Sequence, residues 1–524
     1  MKHTTLFTGL IAILLFSACK KELSPSSEAA SAIEAFVGRG NELQNGKTEI
    51  IFYALGAGNR LDKFSTYDAG NILNSATITG IANGETIISI DFRPATGQLY
   101  GLGNTSRIYV INPETGVARA IGTGPFTPAV MGTVAGFDFN PTVDRIRLVT
   151  STGQNLRLNP ETGTVVAIDG PINGVNGAMI TSVAYTNNVA GASTTTLYDI
   201  DVTTDMLYKQ NPPNNGTLEA VGSLNIDLSG EGGFDIAPPS SNETLSNAAL
   251  AIYQQASKTT LLSIDLMTGK AKKIEKFNSQ IKYYGIAIPT RPVAYAVSGS
   301  NLLIFNPENT STVVTKPITA SSMPVTGIVG LDFRPLNGQL YAIRVSGTTG
   351  SIYTINASSG AASFVANITV PVSGTSFGVD FNPVVDRIRV VSDANQNLRI
   401  NPIDGATLVD GMLNPMDPTV TAAAYQNNFT GTATTTLFVI DNATDKLYVQ
   451  NPPNAGTLVE VGSLGVDVEA SNGFDIGGMS KNAYGAFSSA GATTVYSVNL
   501  NTGAATAGAA LTGTISGFTI GLGF

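Results

Sequence analysis

Gly136-Phe137-Asp138-Phe139-Asn140-Pro141, followed by Val143-Asp144-Arg145-Ile146-Arg147, Gln154-Asn155-Leu156-Arg157 and Asn159-Pro160, is a stretch that the chain states twice. Residues 378 to 402 repeat it as Gly378-Val379-Asp380-Phe381-Asn382-Pro383, Val385-Asp386-Arg387-Ile388-Arg389, Gln396-Asn397-Leu398-Arg399 and Asn401-Pro402. The offset of 242 residues (380 − 138) is close to half of the 524-residue chain, so the whole is read as two copies of one unit. Each copy is large enough to bury a core of its own.

Around this stretch the hydrophobic pattern has period two. Ile51-Phe52-Tyr53-Ala54-Leu55, Ile87-Ile88-Ser89-Ile90-Asp91-Phe92 and Gln98-Leu99-Tyr100-Gly101-Leu102 read as short strands between turn residues, and no stretch here sustains a helical period. A smaller repeat runs inside each half: apolar-Asp-Phe, a short turn, two strands, Asn-Pro-x-x-Gly, and a further strand. The Asn-Pro-x-x-Gly element suits a type I turn closed by a glycine at positive φ. It stands at Asn112 to Gly116, Asn159 to Gly163 and Asn401 to Gly405. The first two are 47 residues apart (159 − 112), a spacing that fits a four-stranded propeller blade.

The fold class is therefore all-β, a β-propeller with about five blades per half. They fall near 49–80, 85–124, 132–170, 178–224 and 230–277, then near 292–320, 325–366, 373–411, 419–465 and 470–513. The first unit lacks an inner strand, which Tyr284-Gly285-Ile286-Ala287-Ile288 can supply, and Gly517 to Leu522 can do the same for the unit near 292. Two tandem five-bladed rings are expected on this reading. One ten-bladed ring is the alternative, and the tight junction Pro289 to Pro292 speaks for it.

The beginning of the chain reads as an address. Lys2 and His3 precede an apolar run from Leu6 to Phe16 and then Ser17-Ala18-Cys19, which resembles a bacterial lipoprotein signal. That resemblance implies a signal peptide over 1–18, cleavage before Cys19 and lipid on Cys19. The run is shorter than the roughly 20 residues that span a bilayer. Lys20-Lys21-Glu22 has no Asp after the cysteine, which fits outer-membrane delivery. Residues 19–48 are expected to be a flexible tether, 49–290 the first repeat and 291–524 the second. The expected location is the cell envelope, with the membrane as a partner through the N-terminal lipid.

Composition excludes several chemistries. The only histidine, His3, and the only cysteine, Cys19, leave the mature chain without imidazole or a free thiol, so Ser-His-Asp, Cys-His and His-ligated metal sites are not expected. A net charge of −9 and a pI near 4.8 speak against nucleic acid as a partner. What remains for an enzyme is a pair of carboxylates acting on polysaccharide or metal-assisted chemistry with oxygen ligands.

Both halves resemble the bacterial domain of unknown function DUF4394. The resemblance rests on the stretches quoted above, on Ala184-Tyr185-Thr186-Asn187-Asn188 with Ala424-Tyr425-Gln426-Asn427-Asn428, and on Gln210-Asn211-Pro212-Pro213 with Gln450-Asn451-Pro452-Pro453. Thr196 to Asp201 with Thr436 to Asp441 adds to it. It implies a secreted or surface-attached protein and carries no activity.

The polar candidates come from the doubled stretch. Asp138, Asp144, Arg145, Arg147 and Arg157, with Asp380, Asp386, Arg387, Arg389 and Arg399, form either a cationic patch for a carboxylate or sulfate or a structural latch between blades. Asn187 and Asn188, with Asn427 and Asn428, precede polar loops that are candidate contacts or mere strand caps. Asp199, Asp201 and Asp205 are a weak calcium candidate, because the second copy has Val439 where Asp199 stands. No other cofactor is expected. The leading function is a lipid-anchored scaffold that binds a glycan, peptide or protein; a carboxylate-dependent hydrolase or lyase and a purely structural surface protein are the alternatives.

Overall fold

The computed structural model describes residues 1, 43–44, 47–239, 248–255, 258–277, 281–415 and 417–524. The expected signal segment beyond Met1, Cys19 and most of the expected tether lie outside the described residues. The tether's last part forms a hairpin of Leu43–Gln44 against Lys47–Thr48.

From Ile51 onward the alternating runs form ten four-stranded antiparallel sheets. Among the described residues there is no α-helix, only two single 3-10 turns at Pro213–Asn215 and Pro453–Ala455. The Asn-Pro-x-x-Gly elements make the outer hairpins for a local reason. Asn112 Oδ1 accepts the amides of Glu114 (3.0 Å) and Thr115 (3.1 Å), and Gly116 closes the turn at φ 74°, where a side chain is disfavoured.

Blades 2 to 5 take their strands in chain order, beginning with Ile87–Phe92, Ala135–Asn140, Ile180–Tyr185 and Ser229–Ile236 as innermost strands. Blade 1 does not. Its innermost strand is Tyr283–Ala287, paired antiparallel with Ile51–Gly56 from the start of the repeat. The innermost strands touch in cyclic order, with Tyr283–Ala287 lying between those of blades 5 and 2, so five blades close a ring. Blades 6 to 10 repeat the arrangement. Gly517–Ile520 pairs with Ala294–Ser298 to complete blade 6, and it touches the innermost strands of blades 7 and 10, Ile328–Arg334 and Asn472–Ile476. The molecule has two five-bladed rings, and the Pro289 to Pro292 junction is the connection between them.

The core lies between blades. Tyr100 and Phe139 meet edge to face across blades 2 and 3 at 5.1 Å, and their twins Tyr341 and Phe381 do so across blades 7 and 8 at 5.2 Å. The rings dock through the faces that carry the turns after the innermost strands. Tyr295 Oη donates to Ala95 O (2.9 Å), the amide of Gly523 to Thr96 O (2.7 Å), and Ser358 Oγ to Pro141 O (3.3 Å). Ala95 of the first ring shares an apolar cluster with Val293, Phe333 and Leu522 of the second. Gly97 sits under the ring of Phe524 at φ 71°, so any side chain there would collide with it.

Candidate functional site

Each ring carries three carboxylates at its centre. Asp91, Asp138 and Asp235 end the innermost strands of blades 2, 3 and 5, and Asp332, Asp380 and Asp475 do the same in blades 7, 8 and 10. All six are buried. An innermost strand exposes amides that no further strand can take, and a buried amide needs an acceptor. Asp91 Oδ2 accepts the amide of Phe139 in the next blade (2.7 Å), Asp138 Oδ1 that of Tyr185 (3.0 Å), and Asp235 Oδ2 that of Ile288 (2.6 Å), which follows the ring-closing strand. In the second ring Asp332, Asp380 and Asp475 clasp Phe381, Tyr425 and Ile520 in the same way. Ala184, Ala287 and Ala424 hold the matching positions elsewhere, while Thr519 Oγ1 lies 2.9 Å from Asp332 and 2.8 Å from Asp475.

Three carboxylate oxygens in each triad converge within 4.8 Å, a spacing at which they could ligate a hard cation. Most of their oxygens are already spent on backbone amides. Burial favours the protonated form of these carboxyls, Asp235 being pushed up to about 7 and Asp475 to about 6 by desolvation. Burial first, then the neighbouring aspartates, drives Asp91, Asp138, Asp332 and Asp380 well above the usual carboxylate range.

The doubled arginines divide into three roles. Arg147 is buried and locks blade 3 to blade 4. Its Nη1 reaches Asn155 (2.7 Å) and Asp169 (2.6 Å), its Nη2 Asn214 (2.7 Å) and its Nε Tyr185 Oη (3.3 Å). Arg389 makes the same set with Asn397, Asp410, Asn454 and Tyr425. Arg157 and Arg399 each form a two-pronged pair with the same aspartate, Asp169 or Asp410. Asp144 and Asp386, both in left-handed turns, receive Arg93 and Arg334 from the preceding blade. Arg93 also reaches Glu161 (3.1 Å) and, across the ring junction, Gly338 O (2.9 Å). Arg145 and Arg387 are left over, each donating, among the described residues, only to the carbonyl of its preceding aspartate (2.8 and 2.9 Å).

Arg145 faces a cleft of about 510 Å³ between the rings, walled by Val143, Arg157, Asn159 and Glu161 of blade 3 and by Gln339, Asn356, Ser359 and Ser363 of blade 7. A smaller hollow of about 230 Å³ continues from the shared Val143, Arg145 and Arg157 toward Asn140 and Asn214. Glu161 is the one carboxylate in the lining, and burial raises its pKa while Arg93 opposes the rise.

The remaining candidates lie elsewhere. Asn187 and Asn427 adopt left-handed backbone and bond back to Thr194 O and Thr434 O, capping their own loops. Asn188 and Asn428 point inward and are buried, so they do not present side chains to a ligand at the surface. The calcium candidates do not converge: Asp201 accepts the amides of Met179 and Thr203, and Asp205 that of Leu228. Asp199 lies opposite Val183 and Tyr208, in an apolar cluster of blade 4, with neither oxygen partnered. The sequence reading did not single out Asp169, Asn214, Arg93, Glu161 or the channel aspartates beyond Asp138 and Asp380. The recurring apolar-Asp-Phe element was the available signal for the last group.

The fold and this duplicated constellation define a tandem propeller. The family model described as a domain of unknown function (DUF4394) matches residues 60–287 and 301–519. The chain belongs to that family and carries its domain twice. No curated protein sequence matches it. Among solved structures it is similar to PorZ, a surface component of the type-IX secretion system of Porphyromonas gingivalis, at 9% identity and a TM-score of 0.25, over 88% of this chain and 58% of that one. It is also similar to a putative 6-phosphogluconolactonase from Bacteroides fragilis, at 10% identity and a TM-score of 0.25, over 64% of this chain and 96% of that one. The chain thus spans 58% of PorZ, and likenesses at these scores carry no argument about activity.

Two measurements follow from this geometry. A carboxyl whose folded pKa is raised stabilises the fold while protonated, fully below its unfolded pKa near 4, and that contribution is lost as pH climbs through the folded value. For Asp235 and Asp475 the loss runs up to about 7 and about 6, so the melting temperature should fall across this window and fall less in the double variant Asp235→Asn/Asp475→Asn. A flat profile in the parent protein would contradict the raised values. Asp199→Val, which copies the second ring, should stabilise by about 1–3 kcal/mol in urea unfolding, because it removes a buried carboxyl without a partner.

Proposed function

We propose that the protein is a non-enzymatic binding scaffold of the cell envelope, anchored by lipid on Cys19, whose ligand occupies the cleft between the two rings. The cleft is the observation that carries this reading. It is large enough for a small ligand, it is built from both copies of the domain, and it gathers Arg145 and Arg157 at its wall. Rigid blades hold these side chains on turns and strand ends, the places where a β scaffold presents binding groups.

The hydrolase reading is the weaker one on chemical grounds. Glycoside hydrolysis takes two carboxyl groups flanking the scissile bond. Glu161 alone lines the cleft, both its oxygens already receive hydrogen bonds from Arg93 and Gln339, and the channel aspartates are buried. The purely structural reading competes only if the cleft stays empty in the presence of ligands.

The anchor is tested by fractionation: Cys19→Ala should move the protein from the membrane to the soluble fraction, and an unchanged distribution would remove the lipid from this account. The binding reading is tested by thermal unfolding against panels of envelope glycans, dietary glycans and peptides. A ligand at a hundredfold its Kd should stabilise by about 2.7 kcal/mol. Ser363→Trp, at an exposed strand position on the cleft wall, should abolish that shift while leaving the unliganded melting temperature unchanged. A shift that survives in this variant places the ligand elsewhere, and no shift with any ligand favours the structural reading.

A further inference from the structure

We propose that the ligand of the inter-ring cleft is an acidic saccharide, whose carboxylate or sulfate group is held by Arg145. This deepens the binding reading above and rests on it. The argument begins with which donors the protein has already used. Arg93, Arg147 and Arg157 each have carboxylate partners; the first two bridge neighbouring blades, and Arg157 pairs within blade 3 through Asp169. Arg145 makes no such ion pair among the described residues: Glu161 feels its charge, but the Nη1 of Arg145 donates to Asp144 O at 2.8 Å and its Nε and Nη2 have no hydrogen-bond acceptor there. A guanidinium edge with two parallel donors matches the two oxygens of a carboxylate or sulfate.

The rest of the lining has the same bias. Asn159 and Asn356 belong to Asn-initiated turns, one from each ring, on the two walls of the cleft. In each, Oδ1 is consumed by the turn itself. Asn159 Oδ1 accepts the amides of Glu161 (2.7 Å) and Thr162 (3.3 Å), and Asn356 Oδ1 those of Ser358 (3.1 Å) and Ser359 (2.9 Å). The turn thereby fixes the amide orientation, and neither Nδ2 group has a partner among the described residues. The single acidic side chain among the described lining residues, Glu161, shares Arg93 (3.1 Å) with Asp144 and receives Gln339 (3.4 Å). The cleft therefore presents donors in excess of acceptors, in a chain whose net charge is −9. The amide and hydroxyl side chains that surround Arg145 pair with sugar hydroxyls. Among the described residues the cleft lining holds no aromatic side chain, and Tyr185 lines only the adjoining hollow.

The duplication supplies an internal control. Arg387 is the twin of Arg145 and makes the same single bond to the carbonyl of Asp386 (2.9 Å). Glu161, buried at 9% exposure where the second ring stands over it, is replaced there by Ile403, which is 59% exposed. Arg387 has the local chemistry without the opposite wall.

The experiment is calorimetric titration of the protein, its Arg145→Gln variant and its Arg387→Gln variant. The probes are oligogalacturonate, a sulfated dextran oligomer, a neutral dextran oligomer and a polyglutamate peptide. The expected result is binding of at least one acidic saccharide, weakening with added salt, lost by about tenfold or more in Arg145→Gln and retained in Arg387→Gln. Which acidic probe binds identifies carboxylate or sulfate as the recognised group. Binding of the neutral oligomer alone overturns the acidic class and leaves the cleft reading standing. Equal losses in both variants, or none in Arg145→Gln, overturn the assignment to Arg145. Binding of the peptide in preference to every saccharide overturns the saccharide class, and no binding by any probe overturns this inference as a whole. Matching melting temperatures of the three proteins separate loss of binding from loss of fold.

Discussion

The carboxylate clasp between neighbouring innermost strands is the interaction on which both rings depend. Five sheets arranged about an axis leave their first strands with amides that face the centre, and no sixth sheet can pair them. An aspartate at the strand end reaches across to the next blade and accepts one such amide, as Asp91 does for Phe139 and Asp380 does for Tyr425. Placing three of these side chains around one axis forces like charges together, so the clasp works best while some carboxyls keep their protons. Where blade 6 closes the second ring, the hydroxyl of Thr519 sits between Asp332 and Asp475 and relieves part of that conflict, whereas the first ring has Ala287 at the same place.

Much of this architecture was legible because it is local. Period-two strands, Asn-Pro-x-x-Gly turns and the doubled stretch marked the blades, and the two orphan strands at 284–288 and 517–522 marked how the rings close. The partners of the motif residues were harder to read, since they come from other blades. Arg147 is conspicuous in the sequence, but Asp169, Tyr185 and Asn214, which surround it, lie 22 to 67 residues away and share no pattern with it. Asn188 shows the opposite difficulty: a polar residue beside a loop reads as exposed, yet this one turns inward. The cleft was beyond sequence reasoning altogether, because it exists only where blade 3 of one ring meets blade 7 of the other.

The two copies keep the same interior and differ at their faces. The Arg147 and Arg389 hubs agree contact for contact, and removing one partner from such a buried set typically costs about 3–5 kcal/mol. Glu161 and Ile403 occupy equivalent turns, and only the first is engaged by the other ring. Asp199 against Val439 is an exception inside the core, and it makes blade 4 chemically unlike blade 9.

Ring closure also sets an order on synthesis. Tyr283–Ala287 is made as the first half is completed, so the first ring has all five blades in hand while the second half is still being added. Ala294–Ser298, by contrast, must wait for Gly517–Ile520 before blade 6 exists. Until then the edge of Ala294–Ser298 that Gly517–Ile520 will cover is unpaired, a liability of any open strand edge.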